Sequence, residues 1–282
     1  MNKNDLQSEL HVIICQLTST NSIDNNDKQI KKLLNSIPNL ENVNIISFPE
    51  NCFFMRMKEG EAVQYLTLDN DIFQFYKEFA KKNNLLIHFG ATPLQMGDHK
   101  YNATVVVMPD GSIESPYQKI HLFDIQLENQ KPVRESDAFT KGSRPKLISY
   151  LGWNLAFTVC YDLRFSELFL YYQLKGADVV FIPSAFLVET GRMHWEILNR
   201  ARAIEGQYFV VSAAQGGTHS ETRKTFGNSI AVDPWGNVIA QQKDDSKPSF
   251  IAVKLIKEVL DKVRKQIPMK DHRRMKVEFL DS

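Results

Sequence analysis

Cysteine is scarce in this chain: three in 282 residues, at Cys15, Cys52 and Cys160. So small and odd a number makes no disulfide framework, and none of the three stands in a CxxC pair or a histidine-paired zinc spacing. Charge of one sign is lacking too. The 34 basic residues are balanced by 33 acidic ones, for a formal net charge of +1. That balance leaves no electrostatic footprint for nucleic acid or an anionic membrane surface. No apolar run approaches the roughly 18 residues of a membrane span. The opening Met1-Asn-Lys-Asn-Asp-Leu-Gln-Ser-Glu has no hydrophobic signal region. These absences predict a cytoplasmic protein, in which a thiol stays reduced and available for chemistry.

The residues present describe an ordinary folded protein, 43% hydrophobic and 24% charged. The length suits one large α/β domain over residues 1–282, with a core that needs neither metal nor disulfide. Residues 267–282 are charged and without period, and read as a C-terminal tail able to pack on a partner subunit. Apolar runs predict strands at 11–18, 43–49, 85–92, 101–108, 155–159, 178–184, 208–214, 226–232 and 250–255. Helical periodicity fits 25–36, 71–83, 165–175, 192–205 and 256–266. Several strands, such as Val43-Asn-Ile-Ile-Ser-Phe, are nearly continuously apolar, which predicts sheets covered on both faces. Pro234 and Gly236 punctuate a hairpin turn. The stretch 127–144 is polar and reads as a strand-free loop of a length usually kept for function.

Three polar residues sit at the ends of apolar runs. Glu50 follows Ser47-Phe48-Pro49, Lys119 lies in Tyr117-Gln118-Lys119-Ile120-His121, and Cys160 ends Phe157-Thr158-Val159 just before a predicted helix. Taken one at a time, each has a plain reading. Glu50 fits a solvated junction, Lys119 a stem lying along a sheet edge, and Cys160 a small buried hydrophobe. The strand–turn–helix setting of Cys160 is also that of a nucleophile elbow, which pushes a side chain out at the turn. Cys15, inside an apolar strand, and Cys52, in an aromatic stretch, read as core.

Together these residues resemble the nitrilase superfamily, and within it the Nit-type amidases. The most specific stretches are Phe48-Pro-Glu-Asn, Lys119-Ile-His-Leu-Phe-Asp, Val159-Cys-Tyr-Asp-Leu-Arg-Phe, the run from His194 to Glu205, and Asp233-Pro-Trp-Gly. The resemblance spans nearly the whole chain. It implies a four-layer α-β-β-α sandwich, a homodimer or larger homo-oligomer, and a catalytic triad of Glu50, Lys119 and Cys160, separated by 69 and then 41 residues. Glu135, sixteen residues after the lysine, matches the family's second glutamate. Ser166 stands where this branch commonly has proline, a change at a helix start that removes no reactive group.

The chemistry needs these groups. Cysteine is intrinsically nucleophilic, but only a few per cent is thiolate near neutral pH without help. Glu50 would take the thiol proton and later return one to the leaving nitrogen. Lys119 would stay charged beside Glu50 and Glu135, lower the thiol pKa, and hold the oxyanion together with the backbone N–H of Tyr161. No metal and no organic cofactor enters this cycle. For the substrate, Arg164 offers bidentate carboxylate recognition, or else a structural bridge to Glu167 or Asp162. Phe186 and Thr190 match pocket positions of related enzymes, with core packing and an N-cap as their alternatives. In the helix from His194, residues Ile197, Leu198, Ala201 and Ile204 read as core.

The run Ser212-Ala-Ala-Gln-Gly-Gly-Thr-His and Arg223 resemble deaminated glutathione amidases more than ω-amidases acting on 2-oxoglutaramate. A small carboxylate-bearing amide is therefore the expected substrate. Two other classes stay open here: a catalytically silent scaffold acting through a partner, and a thiol protease, which would want a histidine base that the helix-like and lysine-flanked settings of His194 and His121 do not suggest.

Overall fold

The computed structural model describes residues 7–58, 60–126, 132–244, 247–276 and 278. Two six-stranded sheets form its centre. The first runs, in spatial order, Ser249–Ile256, Glu9–Gln16, Ile45–Glu50, Leu86–Met96, His99–Val107, Ile113–Gln118. The second runs Val238–Gln241, Ile230–Val232, Phe209–Ser212, Val179–Phe181, Trp153–Phe157, Leu147–Tyr150. In each, three parallel central strands carry antiparallel flanks. Parallel strands need both faces covered, and the side-chain alternation shows how that is met.

Along the first sheet, Leu10, Val12, Ile14, Ile45, Leu86 and Val106 share a core with Leu155, Phe157, Val179 and Phe181 of the second sheet. Their neighbours of opposite parity, Ile13, Cys15, Ile46, Phe48, Ile87 and Phe89, pack instead with helices α1 (Ile23–Asn35) and α2 (Ile72–Asn83). Those helices contribute Ile30, Leu33, Leu34, Phe73, Tyr76 and Ala80. The second sheet's core is completed by α3 (Ser166–Leu174) and α4 (Val188–Gly206) through Leu168, Phe169, Tyr172, Trp195 and Ala203. The result is the four-layer α-β-β-α sandwich. The period-2 alternation of each strand makes it, because one parity meets helices and the other meets the facing sheet. Helix α5 (Lys257–Gln266) is tied to the second sheet by Asp178, which accepts from Lys257 Nζ at 2.6 Å and Arg264 Nη1 at 2.9 Å. Among the described residues, no helix is long and apolar enough to cross a membrane.

The structure departs from the expected elements where patterning was weak. Strands Ile113–Gln118, Leu147–Tyr150 and Val238–Gln241 lie at sheet edges, where half-exposed mixed residues leave no apolar run. The strand expected at 226–232 is two, Lys224–Phe226 and Ile230–Val232, broken where Gly227 and Asn228 both take positive φ, 65° and 61°. The stretch 127–144 is not strand-free: Val133–Arg134 pairs with Asp124–Ile125, and Glu135–Asp137 forms a 3-10 turn. Residues 127–131 of that stretch lie outside the described residues. In the expected tail, Met269–His272 forms a helical turn, and Arg273 Nε donates to Gln173 Oε1 at 2.6 Å. On α4, Ile197 and Ile204 are exposed rather than core, because the inward face is Trp195, Asn199, Arg202, Ala203 and Gly206.

Candidate active site

Strand ends bring the chemistry together. Glu50 is the last residue of Ile45–Glu50, and Asn51 then turns the chain with φ 59°. Lys119 follows Ile113–Gln118, its N–H donating to the Asn102 carbonyl at 3.0 Å. Cys160 comes three residues after Trp153–Phe157, at the first position of the 3-10 turn Cys160–Arg164. Its φ of 47° is left-handed, an uncommon conformation for a residue with a Cβ, and its N–H is held by the Pro183 carbonyl at 2.9 Å. Glu50 ends a strand of one sheet and Cys160 follows a strand of the other, so the packing of the two sheets brings these ends to one cavity. Gly90 lets those sheets close up here. A Cβ at that position would stand 2.0 Å from Pro183 Cβ and 2.3 Å from the Phe48 carbonyl oxygen.

The centre of the site is a buried charge cluster. Lys119 Nζ donates to Glu50 Oε1 at 3.0 Å and to Glu135 Oε1 at 3.1 Å, and lies in ion-pair contact with Glu135 Oε2 at 2.8 Å. Asn102 Nδ2 donates to the same Oε1 atoms, at 3.0 Å for Glu50 and 2.9 Å for Glu135. Glu135 Oε2 also accepts from the Phe123 N–H at 2.6 Å, which holds the 3-10 turn against the lysine segment. Burial by itself would lower the Lys119 pKa. The adjoining Glu135 and Glu50 carboxylates outweigh it and hold the ammonium well above the ordinary lysine value.

The thiol moves the other way from the expectation. Burial, then the adjacent Glu50 carboxylate, push Cys160 well above the ordinary cysteine value; Lys119 and the Ala185 backbone N–H pull it down by less. The resting site therefore holds a protonated thiol beside a carboxylate. Cys15 and Cys52 are fully buried, and burial raises both thiols further from reactivity.

Below the Cys160 turn, Asp162 is fully buried and fully engaged. It accepts from Tyr117 Oη at 2.7 Å and the Val159 N–H at 2.8 Å, and pairs with His121 Nδ1 at 2.7 Å. This brace joins the lysine segment to the cysteine turn. It also removes Asp162 as a partner for Arg164, whose Nη1 instead donates to His194 Nδ1 at 3.2 Å.

The cluster opens into a cavity of ≈ 120 Å³. Glu50, Lys119, Glu135, Cys160, Tyr161, Arg164, Phe186 and Thr190 all line it. Phe186 is core as well, packed on Trp195 with ring centroids 5.1 Å apart. Thr190 is not the N-cap: α4 starts at Val188 after Leu187, and Thr190 Oγ1 donates back to the Leu187 carbonyl at 3.3 Å. The Arg164 guanidinium lies 5.5 Å from the Phe186 ring centroid and 6.0 Å from that of Tyr161, which keeps its charge at the cavity wall.

Sequence reasoning missed Phe54, Arg56, Leu187 and Asn102. The first three also line the cavity but sit in loops or at a helix start with no pattern of their own. Asn102 did carry a signal: an amide inside the apolar strand His99–Val107, 1% exposed. Among the described residues, the cavity lining includes no histidine, and no group of three or more His, Cys, Asp or Glu is placed to hold a metal.

Two facing sheets that deliver a cysteine, a lysine and two carboxylates to one cavity belong to the hydrolases of carbon–nitrogen bonds other than peptide bonds. The chain belongs to the carbon–nitrogen hydrolase family, whose model matches residues 12–263. It is similar to the deaminated glutathione amidase of Bos taurus, 34% identical over 276 residues, which covers 95% of this chain and 83% of that protein. The nitrilase and fragile histidine triad fusion protein NitFhit of Caenorhabditis elegans is 33% identical over 93% of this chain. The chain spans 60% of that fusion protein's length. The crystal structure of Saccharomyces cerevisiae Nit3, a member of branch 10 of the nitrilase superfamily, matches with a TM-score of 0.80 at 25% identity. That match covers 96% of this chain and 98% of the yeast one.

Proposed function

We propose that the protein hydrolyses small carboxylate-bearing amides through a Cys160 thioester, with deaminated glutathione as its preferred substrate. The observation that carries this reading is the thiol placed against Glu50, with Lys119 held charged beside both. In the first half-reaction Glu50 takes the thiol proton while the sulfur attacks the amide carbon. The ammonium of Lys119 and the N–H of Tyr161 hold the oxyanion, an interaction of the kind worth roughly 3–4 kcal/mol. Glu50 then returns the proton to the departing nitrogen. In the second half Glu50 takes a proton from water, which attacks the thioester and releases the acid and the free thiol. Glu135 keeps Lys119 charged and oriented.

Substrate selection rests on cations in the wall. Arg164 reads one carboxylate, and Arg56 and Arg223 add positive charge elsewhere in the lining. Deaminated glutathione carries a carboxylate on each side of the scissile amide, and its hydrolysis yields a 2-oxo dicarboxylate and cysteinylglycine. Relatives bearing the name deaminated glutathione amidase, in Bos taurus and Dictyostelium discoideum among others, support the choice. The second reading is ω-amidase action on 2-oxoglutaramate, for which Arg164 and a smaller part of the same cavity suffice. Comparing kcat/KM for the two amides decides between them, and preference for 2-oxoglutaramate reverses the ranking. Cys160→Ala tests the chemistry: appreciable turnover by a folded variant removes the thioester mechanism. Failure of the wild-type protein to cleave any of a panel of small amides would favour the silent scaffold. A thiol protease is disfavoured because neither His121 nor His194 lines the cavity that holds the Cys160 thiol.

We further infer one catalytic unit, acting in the cytoplasm as a homodimer or larger assembly. The shared core of both sheets supports the first point. Met193, Ile197 and Ile204 on α4, with Trp235 on the adjoining hairpin, leave an apolar face exposed that a second copy would cover. Ile197→Glu should lower the mass measured by light scattering; an unchanged oligomer, or a monomeric wild type, argues against this face.

A further inference from the structure

Asn102 stands inside the charge cluster without being one of its ionised members. The two carboxylate oxygens that accept from its Nδ2 are the same two that accept from Lys119 Nζ. One amide nitrogen and one ammonium thus close a ring of four contacts across Glu50 Oε1 and Glu135 Oε1. The amide can face only one way, because a carbonyl oxygen turned toward two carboxylates would be repelled. The opposite atom, Oδ1, is buried and meets no hydrogen-bond donor among the described residues. A buried acceptor without a donor weakens the fold, and an aliphatic residue of this size would avoid that. The NH2 end accounts for the residue.

Resting on the mechanism above, we propose that Asn102 is a positioning residue that pins Oε1 of Glu50 in register with Glu135 and so keeps the Glu50 carboxylate against the Cys160 thiol. It is absent from the cavity lining and acts through the two carboxylates it holds, Glu50 and Glu135. The charged and titratable groups facing Glu50 are Lys119 from the lysine segment, Glu135 from the 3-10 turn and Cys160 from the nucleophile turn; Arg56, Arg164 and Arg223 complete the cavity wall. Two carboxylates share one lysine there, and Asn102 gives each an additional N–H. Without that donor a proton is accepted by the pair more readily, and the base is silenced at a higher pH.

The test compares Asn102→Leu and Asn102→Asp, which keep the side chain's outline, on deaminated glutathione and 2-oxoglutaramate. Asn102→Ala serves if Leu does not fold, as judged by circular dichroism and melting. For Asn102→Leu, kcat should fall by roughly tenfold or more, with KM within about twofold. The acidic limb of the kcat–pH profile should move up by about one pH unit, the scale of one hydrogen bond to a charged group. Asn102→Asp, which adds a third carboxylate, should move it further. A folded variant with the wild-type acidic limb overturns the proposal, whether its kcat is intact or merely reduced, since packing alone explains the latter. Cys160→Ala assayed alongside keeps the two ideas apart: if it still turns over, the thioester mechanism fails first and for its own reason.

Discussion

Replacing Glu50 by glutamine should make Cys160 more acidic and the enzyme slower at once. In the native site the carboxylate is, after burial, the strongest influence holding the thiol proton in place, and Lys119 opposes it. Glutamine keeps the side chain's length and an acceptor for Lys119, but removes the negative charge. Two unit charges about 4 Å apart interact by roughly 4 kcal/mol at an effective dielectric constant near 20. Removing that charge should therefore shift thiol ionisation downward. Turnover should nevertheless drop by about 10²- to 10⁴-fold, because the proton shuttle is gone from both half-reactions. The assay is the rate of iodoacetamide alkylation against pH, followed by mass at Cys160, beside amide turnover in the same samples. Cys15 and Cys52 stay silent in it, since both are buried and their thiols are held protonated. An alkylation midpoint at or above the wild-type one in Glu50→Gln would refute the argument that this carboxylate presses on the thiol. Retained turnover would refute its role as base.

Lys119→Met should leave Glu50 and Glu135 facing each other without a buried counter-charge. Urea titration is expected to register a loss of about 3–5 kcal/mol, and kcat a fall of about 10²–10³. The wild-type lysine's contribution should not vary between about pH 5 and pH 9, because a raised folded pKa keeps its stabilisation complete below the unfolded value near 10.4 and loses it only above; a marked Lys119-dependent change of stability in that window would contradict the cluster. Gly90→Ala would press a methyl into Pro183 and the Phe48 carbonyl, so a cost of about 1–3 kcal/mol in thermal melting is expected, with kcat reduced as the sheet ends part. A neutral alanine there would mean the sheets are not in close contact. Asp178→Ala removes the acceptor of Lys257 and Arg264; both cations are about a third exposed, so the loss should be held to about 1–2 kcal/mol in urea midpoints.

Read without its structure, the chain already shows why it forms these layers. The strand Glu9–Gln16 is apolar on both parities, which demands cover on both faces, and α1 is amphipathic with Ser22 accepting from the Asn25 N–H at its start. The strand running to Glu50 and the turn at Cys160 are equally local, set by residues within a few positions of one another. Edge strands such as Ile113–Gln118 were illegible because a half-covered strand carries no repeating apolar signal. The sequence by itself therefore determined the elements, the chain order of glutamate, lysine and cysteine, and the family they resemble. Only the tertiary structure decided that Glu50, at the end of one sheet, meets Cys160, beyond the end of the other, and that Asn102 lies between two carboxylates. It also turned Arg164 to His194, exposed Ile197, and set the thiol's proton against Glu50 rather than under the sway of Lys119. The reason is physical. Periodicity and turns are encoded by near neighbours, whereas the burial, distance and charge that govern a proton depend on groups up to 110 positions apart (Glu50 and Cys160), brought together by the packing of two whole sheets.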